Sequence, residues 1–491
     1  MPAVIIPFDL PLPQVLPTIE GNVDYRTFRD QLLQINQMLV GSDLEDRFLQ
    51  ADLERWFQGQ KRISPKAQQN RQLHSRRALR CNIARVLLQE DYRSFAARLA
   101  DSPLLQFFCT ISGVGPVQVP SKSTLQRYAT WWTEAEIRQL SGQLLQSGAQ
   151  EPEKLRLPQP VDLERCFIDT TCVEANIHYP IDWVLLRDAT RTLMKAVGLI
   201  RGQGLKHRME APEHFITRIN RLCIEMTHTS AKQDSQRHRK ITLRKMDKLV
   251  GTVAAHARRY RKLLHEQWEQ TQWTRPQTEQ VLGRMDQVLK QLPKARQQAR
   301  ERILSGQPVE NQDKILSLYE QEVRVIVRKK AGKPVEFGNT LLLGENPQGL
   351  ILDWEFFKET APADARLLCG SVERMRSVFG PVLKELGADR GFDSQANQEV
   401  LRQLGIYNGV CPRSPLELQE RSRSWKFKKQ QRRRSQTEGR VAILKNVFVG
   451  RPMRSKGYLN RALTVGWAVL THNLWVMARM GLAALTEKLA A

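Results

Sequence analysis

The sequence predicts a mixed α/β protein: a sheet domain interrupted by a long helical insertion and preceded by an all-α N-terminal domain. Three observations carry this expectation. Short apolar, β-branched runs at 166–173, 323–327, 339–343 and 350–356 read as strands. Between the first and second of them lies a long basic stretch with helical periodicity. Ahead of the first, the chain from about 25 to 146 reads as helical. Strands grouped in sequence, with helices to cover them, make a mixed α/β domain.

Bulk properties narrow the function classes. A chain of 491 residues exceeds one small core, so about two to four domains are expected. Lys and Arg number 76 against 51 Asp and Glu, a net charge of +25. That excess makes a polyanion the expected partner, through phosphate neutralisation; charge alone leaves membrane surfaces and acidic proteins open. The most apolar stretch, Ala462 to Leu482, is interrupted by Thr471, His472, Asn473 and Arg479, which favours a buried core helix over a membrane span. Residues 1–24 hold Pro2, Pro7, Pro11, Pro13 and Pro17 and no basic leader, so an extended arm is expected rather than a signal peptide. The seven cysteines are scattered without a CxxC pair. Reduced thiols in a cytoplasmic protein are expected, and any metal site must rest on oxygen ligands.

Taken in order, Arg76 to Leu88 and Tyr92 to Leu99 read as helices, followed by a loop with Gly113 and Gly115. Ser121 or Ser123 can then cap a helix through Leu125 and Tyr128 to Trp132. Two short helices, a loop and a further helix suit a helix-turn-helix-like DNA reader; an ordinary bundle fits as well. Trp131 and Trp132 read as core and rim of the N-terminal bundle. Gly148, Pro152, Pro158 and Pro160 mark 147–160 as a linker. In the helical stretch 183–320, Gly202 and Gly204 form a turn. Leu243, Met246, Val250, Val253, Ala257, Tyr260 and Leu264 repeat at three- and four-residue spacing. The opposite face carries Arg244, Lys245, Lys248, Arg258 and Arg261, a solvated surface or a DNA-tracking one. A helix fits Asp364 to Val378, and a short strand leads into Gly387 to Phe392.

Three carboxylates stand out by position. Asp169 lies inside the first strand, where Asp is disfavoured, and a buried carboxylate needs a cation or several donors. Asp389 ends a later apolar run just before Gly391; Asp393 competes with it, but Asp389 follows the run directly. Glu438 lies on a helix after a dense basic stretch. Such oxygen ligands suit Mg²⁺, and two ions about 3.5–4 Å apart serve phosphoryl transfer. Eight of the fourteen residues from Arg421 to Arg434 are Lys or Arg, with Trp425 and Phe427 interleaved. Phosphate contacts from Lys428, Lys429, Arg432, Arg433 and Arg434, with stacking on Trp425, would explain this mixture; a solvated loop is the competing reading. His178 is expected to shape a loop near the site.

Several segments together carry a family resemblance. They are Phe167-Ile-Asp-Thr-Thr171 with Asn176-Ile-His-Tyr-Pro180; Glu336-Phe-Gly-Asn339; Ala388-Asp-Arg-Gly-Phe-Asp-Ser394; and Thr437-Glu-Gly-Arg440 with Lys445. With the N-terminal segment Leu79 to Trp132, these resemble the bacterial insertion-sequence DDE transposases, of the RNase H-like, retroviral-integrase-like superfamily. The resemblance covers most of the chain in order, except the helical insert. It implies an RNase H-like catalytic domain in two parts, 161–182 and 321–491, around an insertion at 183–320, with a DNA-binding domain at 25–146. It implies Asp169, Asp389 and Glu438 as a triad for Mg²⁺, with Mn²⁺ able to substitute. The implied activity is cleavage and strand transfer at the terminal inverted repeats of an element. The implied partners are double-stranded DNA, both element ends and target, and a second copy of the chain in the DNA complex. A cytoplasmic, nucleoid-associated location and no membrane partner follow. In the branch with a Tyr-Arg-Glu-Lys signature, Arg434 and Lys445 match the Arg and Lys; the Tyr position holds Gln431. Arg434 precedes Glu438 by four and Lys445 follows by seven, spacings that share a helix face. An inactive DNA-binding descendant and another RNase H-like nuclease are the alternatives.

Overall fold

Among the described residues, seven helices precede the first strand: α1 (Val23–Gly41), α2 (Leu44–Phe57), α3 (Pro65–Leu87), α4 (Tyr92–Asp101), α5 (Pro103–Phe108), α6 (Lys122–Ala129) and α7 (Glu134–Gln150). The computed structural model describes residues 17–58, 64–111, 116–228, 234–330 and 333–490. Most of the expected N-terminal arm, and the loop glycines 113 and 115, lie outside them. The helix starts follow from local chemistry. The hydroxyl of Ser64 caps α3 with Pro65 in the first turn, Ser121 caps α6 by accepting from the Thr124 N–H at 3.3 Å, and Thr133 with Glu136 forms a capping box on α7. The expected order of the two tryptophans is reversed: Trp132 is buried in the core, and the half-buried Trp131 donates its indole N–H to Asp52 at 2.7 Å.

The segment expected as a linker is not a free tether. Helix α7 runs on to Gln150, and Leu155, Leu157 and Val161 are buried in the same core as the helices before them. The Val161 N–H bonds back to the Gly148 carbonyl at 3.0 Å. Proline and glycine mark turns here, but three apolar side chains bind those turns to the body.

The strands are β1 (Arg165–Glu174), β2 (Arg324–Lys330), β3 (Lys333–Glu345), β4 (Ile351–Phe356), β5 (Glu385–Ala388) and β6 (Tyr407–Val410). They form one mixed sheet in the order β2-β3-β1-β5-β6, with β4 paired to β3 as well. Strand β1 runs antiparallel to β3 and parallel to β5, and β5 runs parallel to β6. The β1–β5 register sets Phe167 against Gly387 and Ile168 against Ala388. A Cβ on Gly387 would come within 2.8 Å of the Phe167 ring, so glycine lets the two strands pair with that ring between them.

Four long helices follow β1: α8 (Asp182–Gly202), α9 (Pro212–His228), α10 (Ser235–Gln267) and α11 (Arg275–Ala299). They close a hydrophobic core of their own, separate from the one under the sheet. The periodic residues Leu243, Met246, Val250, Val253, Ala257, Tyr260 and Leu264 are all buried in it. On the outer face Arg244, Lys245, Lys248 and Arg258 are exposed, whereas Arg261 is engaged by Asp286 at 2.9 Å.

The remaining helices are α12 (Leu368–Phe379), α13 (Gln395–Gln403), α14 (Pro415–Arg421), α15 (Trp425–Ser435), α16 (Thr437–Ile443) and α17 (Tyr458–Ala490). The apolar α17 runs between the N-terminal helices and the sheet, burying Val465, Trp467, Leu470, Leu474 and Met477 in the shared core. Its Asn473 side chain bonds both backbone groups of Ile351, at 2.8 and 3.0 Å. This double burial explains its apolarity. Among the described residues no helix is long and apolar enough to cross a membrane.

His472 on α17 is buried against Phe448 and Trp475. Burial, together with the nearby Arg440 charge, pushes its imidazole down to about 4 from the usual 6.5. In the unfolded chain it takes up a proton below pH 6.5, which the folded chain refuses until about pH 4. Stability from this group is therefore full above pH 6.5 and falls as the pH drops towards 4, by about 3 kcal/mol across the window. His472→Gln should lose about 2–3 kcal/mol less than the native chain between pH 7 and 4.5, measured by denaturant unfolding. Equal losses would rule out a titrating His472.

Candidate active site

Two aspartates meet where the parallel pair β1–β5 ends. Ile168 is in register with Ala388, so the next residue along each is an aspartate: Asp169, still inside β1, and Asp389, the first residue past β5. Each is oriented by a peptide N–H two residues away or nearer. Thr170 N–H donates to Asp169 Oδ1 at 2.8 Å, and Gly391 N–H donates to Asp389 Oδ1 at 2.8 Å. The rival Asp393 is buried and occupied with its own loop. It accepts from the Arg413 N–H at 2.8 Å and from the Gln398 amide at 2.9 Å.

Glu438 lies on α16, near enough for its charge to act on Asp169. The run from α15 to α16 is fastened across the sheet by one face of the helix. Phe427, Gln430, Thr437, Val441 and Leu444 are buried at three-, four- and seven-residue spacings. Gln430 donates to Glu385 at 2.7 Å, and the Thr437 hydroxyl donates to Glu345 at 2.8 Å. Gln431 donates to the Gly409 carbonyl at 2.7 Å. The residue at the signature Tyr position thus holds α15 to β6. Glu438 itself is exposed beside buried Thr437.

Electrostatics ties the three acids together. Burial pushes the Asp169 carboxyl up to about 6, and the charges of Asp389 and Glu438 push the same way. The Thr170 N–H and the Arg434 charge oppose them. Arg434 therefore acts on Asp169, and its Nε is buried with no hydrogen-bond partner among the described residues. Beyond Ile443 the helix widens into a π-type turn, Leu444–Val449. Lys445 on that turn donates to the Thr171 hydroxyl at 3.2 Å. Thr171 and Asp169 share one face of β1, so Lys445 approaches the face that carries the acid.

The donor set fits Mg²⁺ in kind. It consists of hard carboxylate oxygens, one of them raised by burial and two like charges, a surplus of negative charge that a divalent cation relieves. Among the described residues no group of three or more His, Cys, Asp or Glu side chains is placed to hold a metal ion. Mg²⁺ commonly keeps several waters and takes only one or two protein carboxylates, and the adjoining Asp169 and Asp389 suit that mode.

The basic helix divides into two populations. Lys428, Lys429 and Arg432 are exposed, and Trp425 is 72 % exposed with the Lys429 ammonium 5.0 Å from its ring centre. Phe427 is buried and so unavailable for stacking. Arg433, grouped with the DNA-binding cations from its neighbours in sequence, is turned inward. It pairs with Glu345 at 2.8 Å, donates to the Asn346 carbonyl at 2.7 Å and lies over the Phe167 ring. A run of cations looks uniform in sequence, yet a helix must turn about one residue in four towards the sheet it packs on. His178 lies exposed in the loop after β1, next to Tyr179, whose ring meets Phe337 edge-on at 5.5 Å.

In the sequence Asp364 reads only as a helix start. Its carboxylate accepts from the Thr170 hydroxyl at 3.1 Å, immediately beside Asp169. The signal in the sequence is weak, one Asp in a Pro-Ala-rich loop before a helix. The chain matches no protein-family model, no curated protein and no solved structure.

Proposed function

We propose that this chain is a metal-dependent DNA strand-transfer enzyme of the DDE transposase type, with an RNase H-like catalytic domain split by a helical insertion. The observation that carries the reading is the juxtaposition of Asp169, inside β1, and Asp389, just past the end of its parallel neighbour β5, with the Glu438 charge felt at Asp169. The net charge of +25 and the exposed cations beside the acids favour a polyanionic substrate.

In this reading Asp169, Asp389 and Glu438 would hold Mg²⁺, which when bound activates a nucleophilic oxygen and stabilises the leaving one. The chain's own part is orientation and charge. The Thr170 and Gly391 N–H groups each engage Oδ1 of an aspartate and so fix where the second oxygen points. Arg434 and Lys445 bring positive charge to the same face for the phosphates of the reacting strand. Lys428, Lys429, Arg432 and Trp425 hold the backbone and stack on a base or sugar further out. The N-terminal helices read the element ends, and the insertion's basic face contacts DNA or a second copy of the chain, which acts as a dimer on double-stranded DNA.

The test is incubation of the purified chain with Mg²⁺ and DNA carrying the sequences that flank its gene. Joining of 3′ ends to a second DNA is the expected result. Cutting without joining would make the chain a nuclease, and binding alone would make it a DNA-binding protein.

A further inference from the structure

We infer that the cleft between the helical insertion and the segment leading into α17 is a separate DNA track, which holds backbone phosphates at a distance from the reacting one; the inference rests on the DNA-directed reading above. Lys195 on α8, Arg284 on α11 and Lys456 just before α17 line one cleft of about 730 Å³. All three are exposed, and none is paired with an acid among the described residues. A solvated helix face spreads its cations along one element, whereas these come from three elements around one cleft. Among the described residues the one acid lining it is Glu320, and that charge is already taken. Glu320 accepts from the Gly457 N–H at 2.9 Å and pairs with the buried Arg461. Neighbouring acids are engaged as well. Asp188 on α8 is held by Arg187 at 2.9 Å, and Glu279 and Asp286 on α11 are held by Arg275 and Arg261 at 3.0 and 2.9 Å. Three like charges without a counter-charge repel, and an anion that spans them relieves the repulsion.

The floor of the cleft is fastened on both sides. Gln287 of α11 donates to the Tyr319 carbonyl at 2.8 Å, and the Tyr319 hydroxyl meets the Thr192 hydroxyl of α8. Glu320 ties the other side to Gly457 and Arg461. A narrower cleft of about 290 Å³ shares Tyr319, Glu320 and Lys456 with the first and continues to the loop 176–181 after β1. Met453, in the segment that carries Lys456, bridges to Ala175 just past the end of β1. Together the two clefts make a groove that starts where the strand of Asp169 ends. From Asp169 to Ala175 is about 20 Å along a strand, or about six base pairs of duplex at roughly 3.4 Å each. A small anion would engage one end of such a groove; a chain of phosphates engages all three cations. The groove therefore adds affinity outside the reacting phosphate, with residues other than the cations of α15 and the outer face of α10.

Two variants separate charge from shape. One carries Lys195→Gln, Arg284→Gln and Lys456→Gln together; its companion carries Lys195→Arg and Lys456→Arg. The full chains are titrated with random-sequence duplex DNA at several salt concentrations, and with polyglutamate as an acidic-protein probe, and each is melted. The Gln variant should bind DNA roughly 10- to 100-fold more weakly near 0.1 M salt, and its slope of log affinity against log salt should fall by up to about 2.7. Its melting temperature and its cleavage rate at saturating DNA should be kept, because the side chains are exposed and the groove lies beyond the end of β1. The Arg companion should keep native affinity. If the Gln variant melts early, the three single substitutions replace it, each expected to take about 0.9 off the slope. Native DNA affinity and slope without these charges would overturn the inference, as would an equal loss in the Arg companion. A loss confined to polyglutamate would also overturn it and make the cleft a dock for acidic protein. A native chain with no affinity for DNA would overturn the DNA-directed reading itself, whatever the variants do.

Discussion

Glu438→Gln is expected to lower DNA cleavage and joining at least about 1000-fold, equivalent to about 4 kcal/mol of transition-state stabilisation. Its affinity for DNA should change by less than about threefold, because one neutralised acid takes no cation away from the phosphates. Gln has the size of Glu and keeps a carbonyl oxygen, so the helix is undisturbed; Thr437, the neighbour that fastens α16 to Glu345, is untouched. What disappears is one of the negative charges around Asp169. The same loss should follow Asp169→Asn and Asp389→Asn, and the three effects should not add, since each removes part of one ligand set. Single-turnover cleavage in Mg²⁺, run beside a binding assay in a chelator, reads the two quantities separately. Native cleavage rates for Glu438→Gln would take Glu438 out of the active site. They would also reopen the reading of the chain as a plain DNA binder.

The juxtaposition of Asp169 and Asp389 was legible where chemistry conflicts with local structure. Asp169 interrupts an apolar β-branched run and Asp389 ends one, and the β1–β5 register brings the two positions side by side. The helical insert was legible because the period of Leu243, Met246, Val250 and their successors is long enough to exclude a strand, and all of them are buried. The strand bounds at 166–173 and 350–356 fall within about two residues of β1 and β4. Three features could not be read this way, each because it depends on a partner distant in sequence. The turns at 151–160 look like a tether until Leu155 and Leu157 find their core. Asp364 looks like a helix start until its loop meets Thr170, 194 positions away. Arg433 looks like any other cation until Glu345 lies opposite.

The contrast between Arg433 and its neighbours gives the second large effect. Replacing Lys428, Lys429 and Arg432 together with Gln should weaken binding to DNA of any sequence by on the order of 100-fold near 0.1 M salt. The slope of log affinity against log salt should fall by roughly 0.9 for each phosphate no longer neutralised, so by up to about 2.7. All three side chains are exposed, so the fold should keep its melting temperature. Arg433→Gln should behave in the opposite way. Its guanidinium and the Glu345 carboxylate form a largely buried pair, and removing one member leaves the other charged and unpaired, at a cost of about 3 kcal/mol. Glu345 also accepts the Thr437 hydroxyl, so the damage reaches the helix that carries Glu438. Arg433→Gln should therefore lower stability and cleavage with the salt slope unchanged. Affinity measured at four or five salt concentrations, with a melting curve for each variant, distinguishes the two classes. A triple variant with the native slope would move the DNA track off α15. The exposed face of α10, with Arg244, Lys245, Lys248 and Arg258, would then be the surface to neutralise next.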